Sequence, residues 1–297
     1  MQILDGKKTS QKILDSLKTE VQSLKTPPRL DIIIVGSDPA SQKYVQMKQS
    51  KALQVGITGN IHQLNSTAST ADILSLIKTL NQDPQVTAFM VQLPLPPSVN
   101  RSEVLEAIDP NKDTDGLTAK NLGLLFQNNP DAIVPATPKG ILSLLEEYQI
   151  ELSGKSAVII GRSPIVGIPL TALLTAKNAT VTLCHSQTQD LASHLESADI
   201  IISAVGKANF LNADLVPQGA VLIDVGTNFL DGKLVGDFDY QSLAPSASFI
   251  TPVPGGVGPM TIASLLQNTL IIHKRSLKWE FNSTTVAFLK ARNYLKI

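Results

Sequence analysis

The chain has 297 residues, 43% hydrophobic and 17% charged, which gives room for one large or two ordinary domains and excludes global disorder. Lysine plus arginine balance aspartate plus glutamate at 25 each, which argues against a nucleic-acid surface spread over the whole protein. Cys184 is the single cysteine, so no intramolecular disulfide forms, and the four histidines (His62, His185, His194, His273) lack the spacing of a metal site.

Met1 to Lys12 is mixed polar without the apolar core of a signal peptide, and no apolar run approaches a membrane span. A soluble, cytoplasmic protein is expected. Leu30 to Val35 reads as a buried strand that delivers the chain to Asp38-Pro39-Ala40-Ser41. Asp38 or Ser37 can cap a helix there, and proline fits its first position, where a missing N–H does no harm. Tyr44 and Lys48 then fall at i and i+4, on one helix face with Ser41. An aromatic plate beside an amine could hold a flat substrate and move a proton; an exposed helix face with one packed tyrosine has the same spacing.

The helix is expected to end near Gly56, with a second strand over Ile57 to Leu64. Ser69-Thr70-Ala71-Asp72 has capping-box spacing ahead of Ile73, Leu76, Ile77 and Leu80. Val86 to Val91 is a third strand, and Asn100 with Glu103 caps a short helix through Ile108. Strands alternating with helices imply βαβ units and a mostly parallel sheet. Two interruptions, Gln92 to Pro97 and Asp109 to Gly116, follow the ends of apolar elements, where open α/β sheets place ligand crevices.

Helical segments after Thr118 and from about Pro138 to Tyr148 read as connectors between domains. A second alternating run follows: strand Ser156 to Gly161, helix Gly167 to Lys177, strand Thr180 to Cys184, helix Asp190 to Ser197. Strands Asp199 to Ala204 and Ala220 to Val225 complete a Rossmann-like order. Asp231-Gly232 marks a hairpin turn, and a last long helix starts after Pro259 and is expected to fold back on the first domain.

The nucleotide signal is Gly161-Arg162-Ser163-Pro164-Ile165-Val166-Gly167, where a strand meets a glycine turn and a second glycine opens a helix whose N–H groups can receive a pyrophosphate. The spacing is not G-x-G-x-x-G, and a tight β–α turn without a ligand shares it. The end of the next strand separates the two readings. Cys184-His185-Ser186-Gln187-Thr188 offers no carboxylate for a ribose hydroxyl, and Arg162 is available, which favours a 2′-phosphate and hence NADP. In Thr251-Pro252-Val253-Pro254-Gly255-Gly256-Val257-Gly258-Pro259, three glycines among three prolines make a loop whose backbone can approach a ligand closely.

Together these segments resemble the bifunctional methylenetetrahydrofolate dehydrogenase/cyclohydrolase (FolD) family. The matching stretches are Val35 to Lys48, Val91 to Pro96, Lys112 to Leu117, Pro135 to Gly140, Gly161 to Ser163 with Val166-Gly167, Cys184 to Ser186, and Pro254 to Thr261, in family order over residues 1–272. The resemblance implies two α/β domains flanking a cleft, the second a Rossmann-like NADP-binding domain, joined by long helices. It places a folate-binding catalytic domain at 1–118, completed by a C-terminal helix over about 260–297. Connecting helices at 119–150 and the NADP-binding domain at 151–259 complete the division.

The implied activity oxidises 5,10-methylenetetrahydrofolate with NADP to the 5,10-methenyl cation and hydrolyses that to 10-formyltetrahydrofolate, a tetrahydrofolate interconversion of one-carbon metabolism. Lys48 matches the family's catalytic lysine; near a cationic substrate and partly desolvated, it is expected to have a lowered pKa and serve as base. By the same resemblance Tyr44 stacks on the folate rings, Gln92 positions Lys48, and Asp115 binds the pterin donors. Gly161, Arg162 and Ser163 match the cofactor turn, Ser186 the 2′-phosphate contact and Thr227 a further cofactor contact; Pro254, Gly255 and Gly256 match the substrate loop. A homodimer is implied, with no metal, nucleic acid or membrane partner.

A dehydrogenase-only relative, or a non-catalytic nucleotide- or folate-sensing protein, would keep the same fold. The intact Tyr44, Lys48, Gln92 and Asp115 set speaks against a sensor, which has no need of the amine. Ala136 stands where many relatives have cysteine, and Thr227 replaces a commoner isoleucine. Residues 275–297 match no family motif; they read as a docked helix using Trp279, Phe281, Val286, Phe288 and Leu289, with a basic partner-binding tail as the weaker reading.

Overall fold

The computed structural model describes residues 1–291, with side chains described through Leu277. The expected docking of Trp279, Phe281, Val286, Phe288 and Leu289 therefore lies outside the described side chains. The chain opens with β1 (Gln2–Ile3), α1 (Gly6–Gln22), β2 (Leu30–Val35), α2 (Pro39–Gln54), β3 (Ile61–Leu64), α3 (Thr70–Gln82), β4 (Ala88–Val91) and α4 (Arg101–Glu106). It continues through α5 (Ala119–Phe126), α6 (Ala136–Glu147), β5 (Ser156–Ile160), α7 (Gly167–Ala176), β6 (Thr180–Cys184), α8 (Leu191–Leu195) and β7 (Ile200–Ser203). After a 3-10 turn at Ala213–Leu215 come β8 (Val221–Asp224), β9 (Asn228–Leu230), β10 (Lys233–Val235), α9 (Tyr240–Leu243), β11 (Phe249–Ile250) and α10 (Val257–Ala291).

Two compact units result. One comprises Leu17–Thr114 with the chain from Leu266 onward, the other Met1–Ser16 with Asp115–Leu265. Two of the three boundaries fall inside α1 and α10, so each helix contributes residues to both units.

The first unit is built on a three-stranded parallel sheet in the order β3-β2-β4. Every residue of β2 and β4 is buried, the mark of parallel strands covered on both faces. Ile73, Ile77 and Leu80 of α3 cover one face together with Val99, Val104 and Ile108. Both halves of the Ser69–Asp72 capping box form at the start of α3. From the other end of the chain, Asn268 of α10 donates to the Thr114 carbonyl at 2.9 Å, and the hydroxyls of Thr114 and Thr269 lie 2.9 Å apart.

The second unit carries a six-stranded sheet in the order β1-β11-β8-β7-β5-β6, parallel at every pairing. Helices α5 and α6 both pack on α7, where Leu125, Ile141, Leu144 and Leu145 join Leu170, Leu173 and Leu174 in one core. Val158, Ile160, Ile201, Leu222 and Ile250 form the core on the opposite face. The hairpin expected at Asp231-Gly232 is present as antiparallel β9 and β10.

Differences from the sequence reading sit at element ends. The strand expected over Ile57 to Leu64 begins only at Ile61; Thr58 already forms an isolated parallel bridge with Arg29, and Gly59, where an added Cβ would meet the Leu30 carbonyl, separates that bridge from the strand. Helix α10 starts at Val257, two residues before Pro259, since the first helical turn has no use for the proline N–H. The predicted elements do not include α1, although Leu14, Leu17 and Val21 supply a buried stripe at i, i+3 and i+7. No helix among the described residues is long and apolar enough to cross a membrane.

Candidate active site

In the three-stranded unit, the turn from β2 into α2 folds as its sequence dictates. Asp38 caps the helix by accepting from the Ser41 N–H at 2.8 Å, and Pro39 occupies the first position. One turn further on, Tyr44 and Lys48 lie on the same face, with the Lys48 ammonium 4.7 Å from the centre of the tyrosine ring. Lys48 is only 4% exposed, an unusual place for an amine.

Its surroundings come from β4. Lys48 Nζ donates to Gln92 Oε1 at 3.0 Å and to Met90 Sδ at 3.3 Å. Gln92 follows the last residue of the strand; its backbone N–H still joins the ladder, donating to the Ile33 carbonyl at 2.8 Å. Its side-chain Nε2 donates to the Leu93 carbonyl at 2.6 Å, which fixes the amide with Oε1 toward the lysine. The Leu93–Pro94 peptide that follows is cis. Tyr44, Lys48 and Gln92 are thus brought together, and Met90 joins them without having been predicted. Its signal was faint: an apolar residue two before the strand-end glutamine, whose neighbour only the fold supplies.

The remaining predicted site residues belong to the six-stranded unit. Gly161 follows β5 with φ of +118°, and an added Cβ would lie 2.5 Å from the Ala204 carbonyl oxygen. At Gly167, the first residue of α7, an added Cβ would lie 1.7 Å from the Gly161 carbonyl oxygen, so strand and helix meet here only through glycine. Arg162 is exposed and Ser163 half-buried, its Oγ accepting from the Val166 N–H at 3.1 Å. The N-cap residue Val166 provides no side-chain cap; the Ile168 N–H donates to the Ser163 carbonyl at 3.1 Å and Pro169 has no N–H, so Gly167 supplies the helix-start N–H that an anion can take. A glycine cradle with no Cβ at a helix start fits a dinucleotide pyrophosphate, and the exposed Arg162 guanidinium is at hand for a 2′-phosphate.

Gly161 N–H also donates to the Cys184 carbonyl at 2.9 Å, which sets the loop after β6 beside this turn. Ser186 is exposed in that loop, and Thr227 is exposed just beyond β8. Burial pushes the Cys184 thiol up, so it is a packed core thiol rather than a nucleophile. Asp115 is half-buried directly after the buried pair Asp113 and Thr114. Pro254 is exposed, Gly255 half-buried and Gly256 buried, in a loop after β11 that begins with a cis Val253–Pro254 bond. Sequence reasoning also passed over Asp224 and Asp237, two buried carboxylates of the six-stranded unit.

A parallel sheet that opens through a glycine turn onto a helix N-terminus defines the class: a two-unit α/β protein of the dinucleotide-binding kind. Residues 4–115 match the catalytic-domain model of tetrahydrofolate dehydrogenase/cyclohydrolase, and residues 135–277 match its NAD(P)-binding-domain model. The chain belongs to the tetrahydrofolate dehydrogenase/cyclohydrolase family. It is 48% identical over 282 residues to the "Bifunctional protein FolD" of Nautilia profundicola, covering 94% of this chain and 99% of that protein. A crystal structure of the bifunctional FolD methylenetetrahydrofolate dehydrogenase/cyclohydrolase from Campylobacter jejuni superposes with a TM-score of 0.91 at 44% identity, covering 93% of this chain and 99% of that one. The Trypanosoma brucei FolD, solved complexed with NADP cofactor and inhibitor, gives a TM-score of 0.88 at 35% identity, covering 92% and 97%.

Proposed function

We propose that Lys48 moves the protons in the second of two reactions on one folate, with Gln92 holding its amine. The enzyme oxidises 5,10-methylenetetrahydrofolate to the 5,10-methenyl cation and hydrolyses that cation to 10-formyltetrahydrofolate. In the first reaction the donor carbon lies between two nitrogens, so losing a hydride leaves a delocalised cation and releases no proton. The protein has only to align donor and acceptor. NADP⁺ supplies the hydride acceptor when bound. Gly161, Arg162 and Ser163 would hold it, with Ser186 and Arg162 on the 2′-phosphate and Thr227 alongside.

The second reaction needs proton transfer. Water adds to the cationic carbon and gives up a proton; the carbinol then loses its O–H proton to become the formyl carbonyl as its bond to N5 breaks, N5 gains a proton, and the formyl group stays on N10. One proton is released overall. A side chain able to take a proton from the water and return one to N5 serves both transfers, and Lys48 carries that role. The observation that carries the reading is the buried Lys48 amine, held at 3.0 Å by a Gln92 oxygen whose own amide is locked in place.

Tyr44 stacks on the folate rings, Asp115 accepts from the pterin donors, and Pro254, Gly255 and Gly256 contact the substrate. In this reading folate lies on residues 1–118 with the helix from about 260, NADP on 151–259, and 119–150 connect them. A cytoplasmic homodimer acting on tetrahydrofolate derivatives, with no nucleic-acid or membrane partner, completes the reading. Lys48→Met is the test. Hydrolysis of supplied methenyltetrahydrofolate, followed by its ultraviolet band, is expected to fall at least about a hundredfold while a folate analogue still binds. Hydrolysis at the wild-type rate would refute the assigned role.

A further inference from the structure

The six-stranded unit buries two carboxylates that neither reaction uses. Asp224 ends β8 and is 3% exposed; Asp237 follows β10 and is fully buried. Among the described residues neither forms an ion pair. Loop N–H and O–H groups satisfy them instead. Asp237 Oδ2 accepts from Ser203 Oγ at 3.0 Å, Val205 N at 2.8 Å and Gly206 N at 3.3 Å. Its Oδ1 accepts from Lys207 N at 3.0 Å and Asn228 Nδ2 at 3.1 Å. Asp224 Oδ1 accepts from Gly226 N at 2.9 Å and Asp237 N at 2.8 Å, and Oδ2 from Phe238 N at 2.9 Å. The Asp224 N–H in turn donates to Thr251 Oγ1 at 2.7 Å.

The sequence makes room for this pair by leaving two neighbours bare. An added Cβ would lie 2.1 Å from Asp237 Oδ1 at Gly226, and 1.9 Å from Asp224 Oδ2 at Gly236. The loops so tied leave the carboxyl ends of β7 and β8 and reach the segment after β11, the end of a parallel sheet where ligands bind. The first of them runs against the cofactor turn: Ala204 N donates to the Ile160 carbonyl at 2.8 Å, next to Gly161. Thr227 lies between Gly226 and Asn228, which the two carboxylates hold from either side.

We propose that Asp237 is a positioning residue for the dinucleotide, holding in their binding shape the loop 203–207, which borders the Gly161 turn, and the loop 226–228 that it ties to the first. The proposal rests on the assignment of NADP to this unit. Only a carboxylate suits the position, because donors converge on both oxygens, and an asparagine would aim its own N–H₂ at some of them. Burying a carboxylate without a cation is costly. Asp224 registers that cost: burial pushes it up to about 6, with the adjacent Asp237 charge adding to the rise and the N–H donors opposing it. Fixed loops at the ligand end of the sheet are what the cost secures.

The test is Asp237→Asn, read three ways: NADP⁺ affinity by titration calorimetry, cofactor-free hydrolysis of methenyltetrahydrofolate, and thermal melting. The NADP⁺ Kd is expected to rise about tenfold or more, the loss of a charge-assisted hydrogen bond, while hydrolysis stays unchanged. An unchanged Kd in the folded variant overturns the proposal, and so does a parallel loss of hydrolysis and cofactor binding, the pattern of a general fold defect. If Asp237→Asn does not fold, Asn228→Ala removes one donor from the same carboxylate and is expected to raise Kd about threefold; no rise overturns the proposal. Wild-type protein that binds no NADP⁺ in the same titration overturns the cofactor assignment, and the proposal with it.

Discussion

Each unit buries an aspartate at one end of its parallel sheet, and the two carboxylates are held in opposite ways. Asp31, the second residue of β2, is fully buried and accepts from Arg29 Nε at 2.9 Å, Arg29 Nη2 at 2.8 Å and Asn60 N at 3.2 Å, with His62 Nε2 at 2.7 Å. Burial pushes its carboxyl up, but the hydrogen bonds from Arg29, His62 and Asn60 and the Arg29 charge outweigh it, so Asp31 lies below the usual carboxylate range. Asp224 ends its strand with N–H donors alone and is pushed up to about 6 by burial. The amino end of the three-stranded sheet is thus stapled by charge, where the strand order places no ligand. At the carboxyl end of the six-stranded sheet the fold gives up stability to shape loops, as functional sites tend to do.

The largest effect expected from this contrast is at Asp31. Asp31→Asn takes its bidentate partner from the half-buried Arg29, leaving Asp83 at 3.4 Å, and removing one member of a buried pair costs about 3 kcal/mol. Urea unfolding followed by circular dichroism measures it. A loss well under 1 kcal/mol (an order-of-magnitude bound for exposed pairs) would mean that the staple adds little and the contrast with Asp224 is only apparent.

The pH dependence separates the two carboxylates by sign. Above pH about 4 the unfolded chain gives up the Asp224 proton while the folded chain keeps it, so stability falls as pH rises toward 6, by about 3 kcal/mol for this group alone. Asp31 works the other way. Its folded carboxylate holds its charge more firmly than the unfolded one, so its contribution is present above pH about 4 and is lost as pH falls through the folded value. In urea titrations, Asp224→Asn is expected to lose the decline between pH 4 and 6, whereas Asp31→Asn keeps it and flattens the acid limb. Identical slopes in wild type and Asp224→Asn would break the comparison.

What could be read in the sequence divides along similar lines. Asp38-Pro39, Ser69–Asp72, Asn100–Glu103 and Asp231-Gly232 each produced the expected element, because a cap or hairpin turn is decided by residues a few positions apart. Strands β1 and β11 are two residues each and exist through distant pairings, Gln2 with Phe249 and Phe249 with Val221, which no local pattern announces. The Lys48–Gln92 pair was visible only through the family resemblance, since the two residues meet through strand order rather than spacing. Asp224 and Asp237 were illegible as a pair for a further reason: most of their partners are backbone N–H groups, which every residue carries and only the fold aims.

One pair tests whether burial or mere position at the amino end gives the Arg29–Asp31 staple its strength. In the six-stranded unit, Lys155 and Asp199 immediately precede the neighbouring strands β5 and β7, at the amino end of their sheet as Arg29 and Asp31 are at the amino end of β2. Asp199 Oδ2 accepts from the Ser156 N–H at 2.8 Å, and Lys155 Nζ lies 3.3 Å from Oδ1, but both side chains are 42% exposed. The Ser156 hydrogen bond is the main reason that Asp199 lies below the usual carboxylate range, with Lys155 secondary. Water and salt screen a pair so exposed, and the backbone N–H keeps the carboxylate in place without the lysine. Lys155→Ala is therefore expected to change stability by less than about 0.5 kcal/mol, with no measurable effect in urea unfolding at 1 M salt. A loss as large as that of Asp31→Asn would transfer the explanation from burial to position along the sheet.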